Sequence, residues 1–199
     1  MMTPQREQKI KTMIAHRQPT LAVIIENVHD PHNIMAVARS CESVGVPDIY
    51  IIQDETKPGF DVRASGSKSS GSANKWLNFH EFTTTHDCLQ AIKEKGYRIF
   101  TTHLSTNSKS VYEVDMTQKI ALLFGNEKYG VSEEALSISD GNFVIPQVGM
   151  IQSLNISVAC AVSLYEAFRQ RKAAGFYEQS QYTVDEGNNI FAALTEPGK

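Results

Sequence analysis

The sequence predicts an α/β protein built on a mostly parallel sheet that helices cover on both faces. Segments of strand length alternate with segments of helix length along the 199 residues. The strand segments are almost continuously apolar, as in strands that are buried on both faces. The loops after these strands concentrate glycine, asparagine, threonine and histidine. The length suits one large domain with a full core.

The first third of the chain carries clear boundaries between helices and strands. Residues 3–17 form an amphipathic helix, and residues 20–26 (TLAVIIE) form the first strand. Residues 30–45 form the second helix, because Asp30 suits its N-cap and Gly45 suits the position after its last turn. Apolar residues recur there at helical spacing and predict a buried stripe of Ile34, Val37, Ala38, Cys41 and Val44.

The remaining elements continue the alternation. Residues 48–52 (DIYII) form the next strand, and a connection rich in glycine and serine follows at 53–75. Beyond it we expect, in order, a helix near 86–95, strands at 97–103 and 119–124, a short helix from Ser132, a strand at 142–146 and a long last helix. Residues 176–199 are mostly polar, and we expect them to form a partly ordered tail.

Composition and missing motifs exclude several classes of protein. The three cysteines are far apart and form no CxxC pair, which indicates a reducing, cytoplasmic setting. The first residues lack the apolar core of a signal peptide, and no apolar run is long enough to predict a membrane span. The segment GSKSSGSA has a serine where a phosphate loop needs lysine, and neither GxGxxG nor GxSxG occurs. His29 and His32 flank a helix start without a third ligand, so we expect no metal site.

The distribution of charge is more informative than its sum of −3. A net negative charge taken alone argues against a nucleic-acid-binding protein. Two basic clusters nevertheless occur, one in residues 1–18 and one in residues 169–172 (RQRK). Each is either a solvated helix face or a contact for a polyanion, and the charge pattern leaves both interpretations open.

Three segments at predicted strand ends carry the residues that suggest a site, because ligands of such sheets bind at the carboxyl ends of the strands. The segments are NVHDPHNIMAVARS (27–40), ALLFGNEKYGVSEEAL (121–136) and FVIPQVGMIQSLNISVACAVSLYEAFRQRK (143–172). Their order and spacing resemble the SpoU-type branch of the SPOUT RNA methyltransferases over nearly all of residues 16–177. The matching positions are Asn33 and Arg39, Gly125–Asn126–Glu127, Ile145–Pro146 and Ser153–Leu154–Asn155.

The resemblance implies a fold, a cofactor and a set of site residues. The implied fold includes a deep C-terminal trefoil knot around residues 120–165, which no pattern in the sequence predicts by itself. The implied cofactor is S-adenosylmethionine (AdoMet), bound by the knotted loops at Thr102, Leu123, Gly125, Ile145 and Leu154. The implied catalytic residues are Arg39, Asn33, Glu127, Ser153 and Asn155. Without the resemblance, Ser153 and Asn155 would be interpreted as helix-capping residues.

The implied reaction moves a methyl group from AdoMet to a ribose 2′-hydroxyl. In the family, the counterpart of Arg39 is assigned the role of base, although a guanidinium stays protonated at any ordinary pH. Either an RNA phosphate helps to accept the proton, or Arg39 stays charged and stabilises the developing alkoxide. The sequence leaves both mechanisms open.

Three further segments resemble the family members that methylate guanosine 18 of tRNA: AHRQP before the first strand, GSANKW at 71–76 and YEAFRQRKAAGFY at 165–177. We therefore expect tRNA as the substrate, with methylation of ribosomal RNA, or a non-catalytic knotted RNA-binding factor, as alternatives. The candidate RNA contacts are Arg6, Lys9, Lys11, Arg17, Arg169 and Arg171, with Arg63, Lys68 and Lys75 as further members.

The resemblance also implies an assembly and a division of the chain. The family functions as a homodimer with the knots packed at the interface. Residues 1–18 would form a basic helical extension, residues 19–175 the catalytic domain and residues 176–199 a short tail. We expect the protein to be cytoplasmic and to have no membrane partner.

Overall fold

A parallel sheet forms the centre of the computed structural model, which describes residues 2–53, 73–151 and 153–196. Within these residues seven strands occur, and each pairs with its neighbours in parallel. They are β1 Leu21–Glu26, β2 Asp48–Ile52, β3 Asn78–Phe82, β4 Arg98–Thr102, β5 Lys109–Ser110, β6 Ile120–Phe124 and β7 Gly141–Val144. Their spatial order is β3-β2-β1-β6-β4-β7-β5. The predicted parallel sheet is confirmed.

Helices lie on both faces of this sheet. In the described part of the chain they are α1 Pro4–Ala15, α2 Pro31–Ser43, α3 Thr85–Glu94, α4 Glu133–Ile138, α5 Ile156–Ala173 and α6 Val184–Thr195. Apolar residues of α2 and α5 form one core cluster with the sheet, and those of α3 and α4 form a second. None of these helices combines the length and apolar character that crossing a lipid bilayer would require.

The central strand β1 shows why the sheet needs cover on two sides. All six of its residues are buried. Successive side chains of a strand point to opposite faces. Accordingly, Leu21 and Val23 pack in the cluster with α2 and α5, while Ala22 and Ile24 pack in the cluster with α3 and α4. A strand of this kind has a continuous apolar run rather than an alternating one.

The boundaries of α2 follow the predicted capping pattern. The side chain of Asp30 accepts a hydrogen bond from the His32 backbone N–H at 2.8 Å. Gly45 adopts φ +84°, and a Cβ at this position would lie 2.6 Å from the backbone oxygen of His16. Only glycine therefore suits both the backbone conformation and the close approach of the preceding segment.

Two edge elements were not predicted from the sequence. Strand β3 is polar and only partly buried, and among the described residues it pairs with β2 alone. The carboxylate of Asp48 in β2 fixes it by accepting a 2.8 Å hydrogen bond from Nε2 of His80 and a 3.1 Å bond from Nδ2 of Asn78. The two-residue strand β5 forms the opposite edge beside β7.

Residues 184–195, within the segment expected to be a partly ordered tail, form helix α6, which was not predicted. Thr183 and Glu186 make a reciprocal capping box at its start. The helix packs against α1, where the ammonium group of Lys11 lies over the ring of Phe191 at 5.4 Å. Most of the Gly/Ser-rich connection, with Arg63 and Lys68, lies outside the described residues; its end forms a 3-10 turn at Ala73–Trp76.

Candidate active site

The carboxyl ends of the central strands meet at one edge of the sheet. Ile25 of β1 pairs with Phe124 of β6, and Thr101 of β4 pairs with Leu123 of β6. On the other side of β4, Thr102 pairs with Phe143 of β7. The loops that follow these strands therefore leave the sheet side by side, which is where α/β proteins of this type bind ligands.

Three of the predicted catalytic residues form one chain of hydrogen bonds. Nδ2 of Asn33 donates to Oε1 of Glu127 at 2.6 Å. Nδ2 of Asn155 donates to Oδ1 of Asn33 at 3.1 Å. These residues come from the start of α2, the loop after β6 and the start of α5. The fold thus joins into one cluster three segments that are far apart in the sequence.

Asn155 both caps a helix and belongs to this cluster. Its Oδ1 accepts hydrogen bonds from the backbone N–H and the hydroxyl of Ser157, at 2.9 and 2.6 Å. Its Nδ2 remains to donate to Asn33. The capping interpretation and the site interpretation of this residue are therefore compatible, because the oxygen and the nitrogen of one amide bind different partners.

Glu127 is presented by a tight turn that requires glycine. The backbones of Asn126 and Gly130 exchange hydrogen bonds of 2.9 and 2.8 Å. A Cβ at Gly125 would lie 2.2 Å from the Gly130 carbonyl oxygen, so this approach is open only to glycine. Nδ2 of Asn126 donates to the backbone oxygen of Asn27 at 2.7 Å and fastens the turn to the loop after β1.

A buried carboxylate beneath this turn was missed by the sequence analysis. Glu26, at the end of β1, is 1% exposed. Its oxygens accept from the hydroxyl of Thr85 at 2.6 Å, and from the backbone N–H and hydroxyl of Ser132 at 2.8 and 2.7 Å. Glu26 therefore fixes the end of the loop that carries Glu127. The signal in the sequence that could have identified Glu26 is that an acidic residue ends an otherwise apolar strand.

The other two predicted catalytic residues lie in different settings. Arg39 is on the exposed side of α2 and shares a groove with Ser157, Val158 and other residues of α5. Ser153 lies in the exposed segment that leads into α5. Among the described contacts, Ser153 makes no hydrogen bond to the cluster.

The predicted cofactor positions surround the same sheet edge. The hydroxyl of Thr102 donates to the backbone oxygen of Leu123 at 3.3 Å, which links the ends of β4 and β6. Gly125 follows β6 directly, Ile145 follows β7 directly, and Leu154 is 37% exposed just before α5. Main-chain polar groups at strand ends beside apolar side chains suit a ligand with an aromatic base and a polar chain, so these residues fit AdoMet.

Four of the six predicted RNA contacts are accessible. Arg6, Lys9 and Lys11 are exposed on α1, where Lys11 forms a 2.7 Å ion pair with Glu7. Arg169 is exposed on α5 and binds the carboxylate of Glu166 through two hydrogen bonds of 2.8 and 2.7 Å. These side chains can meet phosphates on the surface.

The prediction that Arg171 contacts RNA is wrong, because its side chain is fully buried. Its five N–H groups donate to five oxygens, on Met116, Gln118, Thr20 (two) and Gln18, at 2.7–3.2 Å. Burial lowers the pKa of this guanidinium to about 10, so it remains protonated at neutral pH. Arg171 joins the end of α5 to the segments before β1 and β6.

Arg17 is likewise a wrong prediction as a phosphate contact. It is 4% exposed, and its guanidinium donates to the backbone oxygen of Trp76 and to the sulfur of Met13. The basic cluster around Arg17 in the sequence is typical of surface residues. Because Arg17 follows the end of α1, however, its side chain points inward against the 3-10 turn.

Comparison with known proteins assigns the chain to a family. The sequence model of the SpoU rRNA Methylase family matches residues 20–165, a range that contains all five predicted catalytic residues. The chain belongs to the SpoU methylase family. The resemblance found in the sequence is thereby confirmed.

SpoU-family relatives match the chain over most of its length. The tRNA (guanosine(18)-2′-O)-methyltransferase of Thermus thermophilus is 42% identical over 178 residues, which are 89% of either chain. The enzyme of the same name from Escherichia coli is 42% identical over 176 residues, which are 88% of this chain and 75% of that one.

Solved SpoU structures share the fold. The A. aeolicus TrmH/SpoU tRNA modifying enzyme superposes with a TM-score of 0.87 at 34% identity, covering 96% of this chain and 94% of that chain. The SpoU methyltransferase AviRb from Streptomyces viridochromogenes, solved in complex with the cofactor AdoMet, gives a TM-score of 0.68 at 25% identity, covering 80% of this chain and 64% of that one.

Proposed function

We propose that this protein transfers a methyl group from AdoMet to the ribose 2′-hydroxyl of guanosine 18 in tRNA. The observation that carries the proposal is the hydrogen-bonded cluster of Asn33, Glu127 and Asn155 at the sheet edge, with Arg39 in a groove that is also lined by Ser157, a partner of Asn155. Relatives with this activity that are 42% identical over most of the chain support the choice of tRNA.

The side chains of the cluster prepare the site for an incoming ribose. When bound, AdoMet supplies an electrophilic methyl group on a sulfonium. The hydrogen bond from Asn33 fixes the carboxylate of Glu127, and the bond from Asn155 fixes the amide of Asn33. Groups held in this way do not reorganise during the reaction, which favours the transition state. Ser153 and Leu154 lie at the entrance to α5, where they complete the surface that meets the ligands.

Arg39 acts in this proposal as a permanent cation rather than as a base. A guanidinium stays protonated, so it orients an RNA phosphate and stabilises the negative charge that develops on the 2′-oxygen. As this oxygen bonds to the methyl group, the sulfur–methyl bond breaks and the hydroxyl proton passes to solvent. Arg39→Ala should abolish transfer while AdoMet affinity stays within about tenfold, or 1.4 kcal/mol. Arg39→Lys, which keeps the charge but not the planar fork, should retain part of the rate. Loss of AdoMet binding by Arg39→Ala in calorimetry would contradict this role.

The substrate is tested by incubating the protein with labelled AdoMet and unmodified tRNA, followed by nuclease digestion. Label in 2′-O-methylguanosine from the D-loop is the expected result. Label only in ribosomal RNA would keep the chemistry and change the substrate. Binding of AdoMet without label in either RNA would favour a non-catalytic RNA-binding factor.

The tRNA is held electrostatically in this proposal. Arg6, Lys9, Lys11 and Arg169 contact phosphates, and their exposure supports the assignment. Phosphate contacts release counterions, so affinity should fall steeply as salt increases. A flat salt response in a binding titration would refute the assignment.

We also propose the knot and the dimer that the resemblance implies. The strand order supports a knot at 120–165, because β7 enters between β4 and β5, which precede it in the chain. When the chain is pulled from both ends, its fully extended length should then be shorter than that of an unknotted chain, which extends to about 3.3–3.6 Å per residue.

Exposed apolar side chains before and along α5 support the dimer. Val148, Met150 and Ile151 are 74–107% exposed, and Val158 and Tyr165 are about half exposed. Such a patch on a protein surface marks an interaction site. Met150→Asp should yield a monomer in sedimentation experiments, whereas an unchanged dimer would place the interface elsewhere. A tRNA substrate and three free, buried cysteines support a cytoplasmic location.

A further inference from the structure

A groove separate from the hydrogen-bonded cluster runs between α1, α2 and the 3-10 turn at Ala73–Trp76. Its volume is about 490 Å³, within the range of 300–1,000 Å³ that is typical of ligand sites. Residues from three elements line it: Arg6, Lys9 and Met13 from α1, Arg39 and Glu42 from α2, and Trp76 from the turn.

The chemistry of this groove matches a single strand of RNA. Three of the lining residues are cations and one is a carboxylate, so the groove favours a polyanion. Trp76 is half-buried and lines the groove. A positively charged groove with an aromatic platform is the arrangement by which proteins bind unpaired nucleotides, through phosphate contacts and base stacking.

Arg39 connects this groove to the candidate active site. It lines the groove beside α1 and also the groove between α2 and α5. An RNA strand whose reacting ribose lies near Arg39 in the groove beside α5 can therefore continue past Arg39 into the groove beside α1. We propose that a nucleotide neighbouring the methylated one leaves its stack and lies on the Trp76 indole, with its phosphates between Arg6, Lys9 and Arg39. This inference rests on the proposed function.

Arg17 supports this groove without lining it. Its guanidinium donates to the backbone oxygen of Trp76 and contacts Met13 of α1. Arg17 thus holds the turn against α1 and sets the position of the indole. It is a positioning residue and makes no contact with RNA.

The chain offers a direct optical test, because Trp76 is its single tryptophan. The full-length protein is titrated with unmodified tRNA while tryptophan emission is recorded, and binding is followed independently by the anisotropy of end-labelled tRNA. Emission should be quenched with the same midpoint as the anisotropy change. Inorganic tripolyphosphate, which binds cations but has no base to stack, should leave the emission nearly unchanged.

Variants separate stacking from a structural effect. Trp76→Leu should raise KM for tRNA about tenfold, as expected for loss of one stacked base, while Trp76→Phe should recover much of it. The AdoMet affinity and circular dichroism of both variants should match the wild type. Tyr112→Leu, which removes an aromatic ring that is 58% exposed on the turn at Val111–Glu113, is the matched control and should leave KM unchanged.

The outcomes distinguish this inference from the proposed function. Anisotropy that reports binding without quenching, or a Trp76→Leu enzyme with normal KM, would overturn the stacking site and leave the methylation of tRNA standing. An absence of any tRNA binding by anisotropy would overturn both.

Discussion

The burial of Arg171 leads to a sharp prediction about stability. Lysine keeps the positive charge at this position but offers three donors, where the guanidinium offers five. Arg171 uses all five N–H groups on buried or half-buried oxygens. Arg171→Lys therefore leaves at least two acceptors without a donor. Each such loss costs about 1–3 kcal/mol, so the free energy of unfolding should fall by about 2–6 kcal/mol.

This loss is a large fraction of the roughly 5–15 kcal/mol that stabilises a typical domain. It is measured by urea unfolding followed by circular dichroism, at one protein concentration because the stability of the proposed dimer would depend on concentration. Arg169→Lys is the matched control, since this residue lies on the same helix and its side chain is 66% exposed. The control should keep the urea midpoint of the wild type while weakening tRNA binding.

A small effect of Arg171→Lys would refute the reasoning. If its unfolding free energy stayed within about 1 kcal/mol of the wild type, the five hydrogen bonds would not stabilise the fold as the geometry indicates. If the variant folded normally but lost tRNA affinity, the original prediction of a phosphate contact would be restored.

Two further predictions concern the site turn and the edge of the sheet. Gly125→Ala would place a methyl group 2.2 Å from the Gly130 carbonyl oxygen, so the turn must open. The AdoMet affinity measured by calorimetry should then fall by more than about tenfold, or 1.4 kcal/mol. Unchanged affinity would show that the turn is not part of the cofactor site. Desolvation raises the pKa of Asp48, but hydrogen bonds from His80 and Asn78 outweigh it and the net pKa is lowered. This stabilisation is present above the unfolded-state pKa of about 3.9 and is lost as the pH falls through the lower folded-state pKa. Asp48→Asn should therefore show a shallower loss of urea resistance below about pH 4 than the wild type, and parallel curves would contradict the role of this carboxylate.

The sequence predicted the central elements because local and tertiary requirements agree there. Strands β1 and β6 are buried on both faces and therefore carry uninterrupted apolar runs. Helix α2 has both its N-cap Asp30 and its terminal Gly45, which are signals that can be recognised at the helix ends in the sequence. Edge strand β3 gave no such signal, since a strand with one open edge tolerates asparagine, histidine and glutamate.

The site was predicted less completely, and the reason is physical. Asn33, Glu127 and Asn155 were identified through the family resemblance, but their mutual hydrogen bonds depend on how three distant loops meet. Arg17 and Arg171 belong to clusters whose pattern is typical of solvated residues, yet each turns inward to satisfy backbone carbonyls. The number of charges near a helix end does not determine which of them faces water. The knot and the dimer stay predictions.

The pairing of β1 with β6 has a consequence for how the protein is made. These strands lie at the centre of the sheet, yet roughly half of the chain separates them. On a ribosome, β1 can pair with β2 early, but its other edge stays open until β6 has emerged. Such non-local pairing folds slowly and exposes the chain to aggregation. The site is finished later still, when Asn155 reaches Asn33. A chain that ends before residue 155 therefore lacks one member of the hydrogen-bonded cluster.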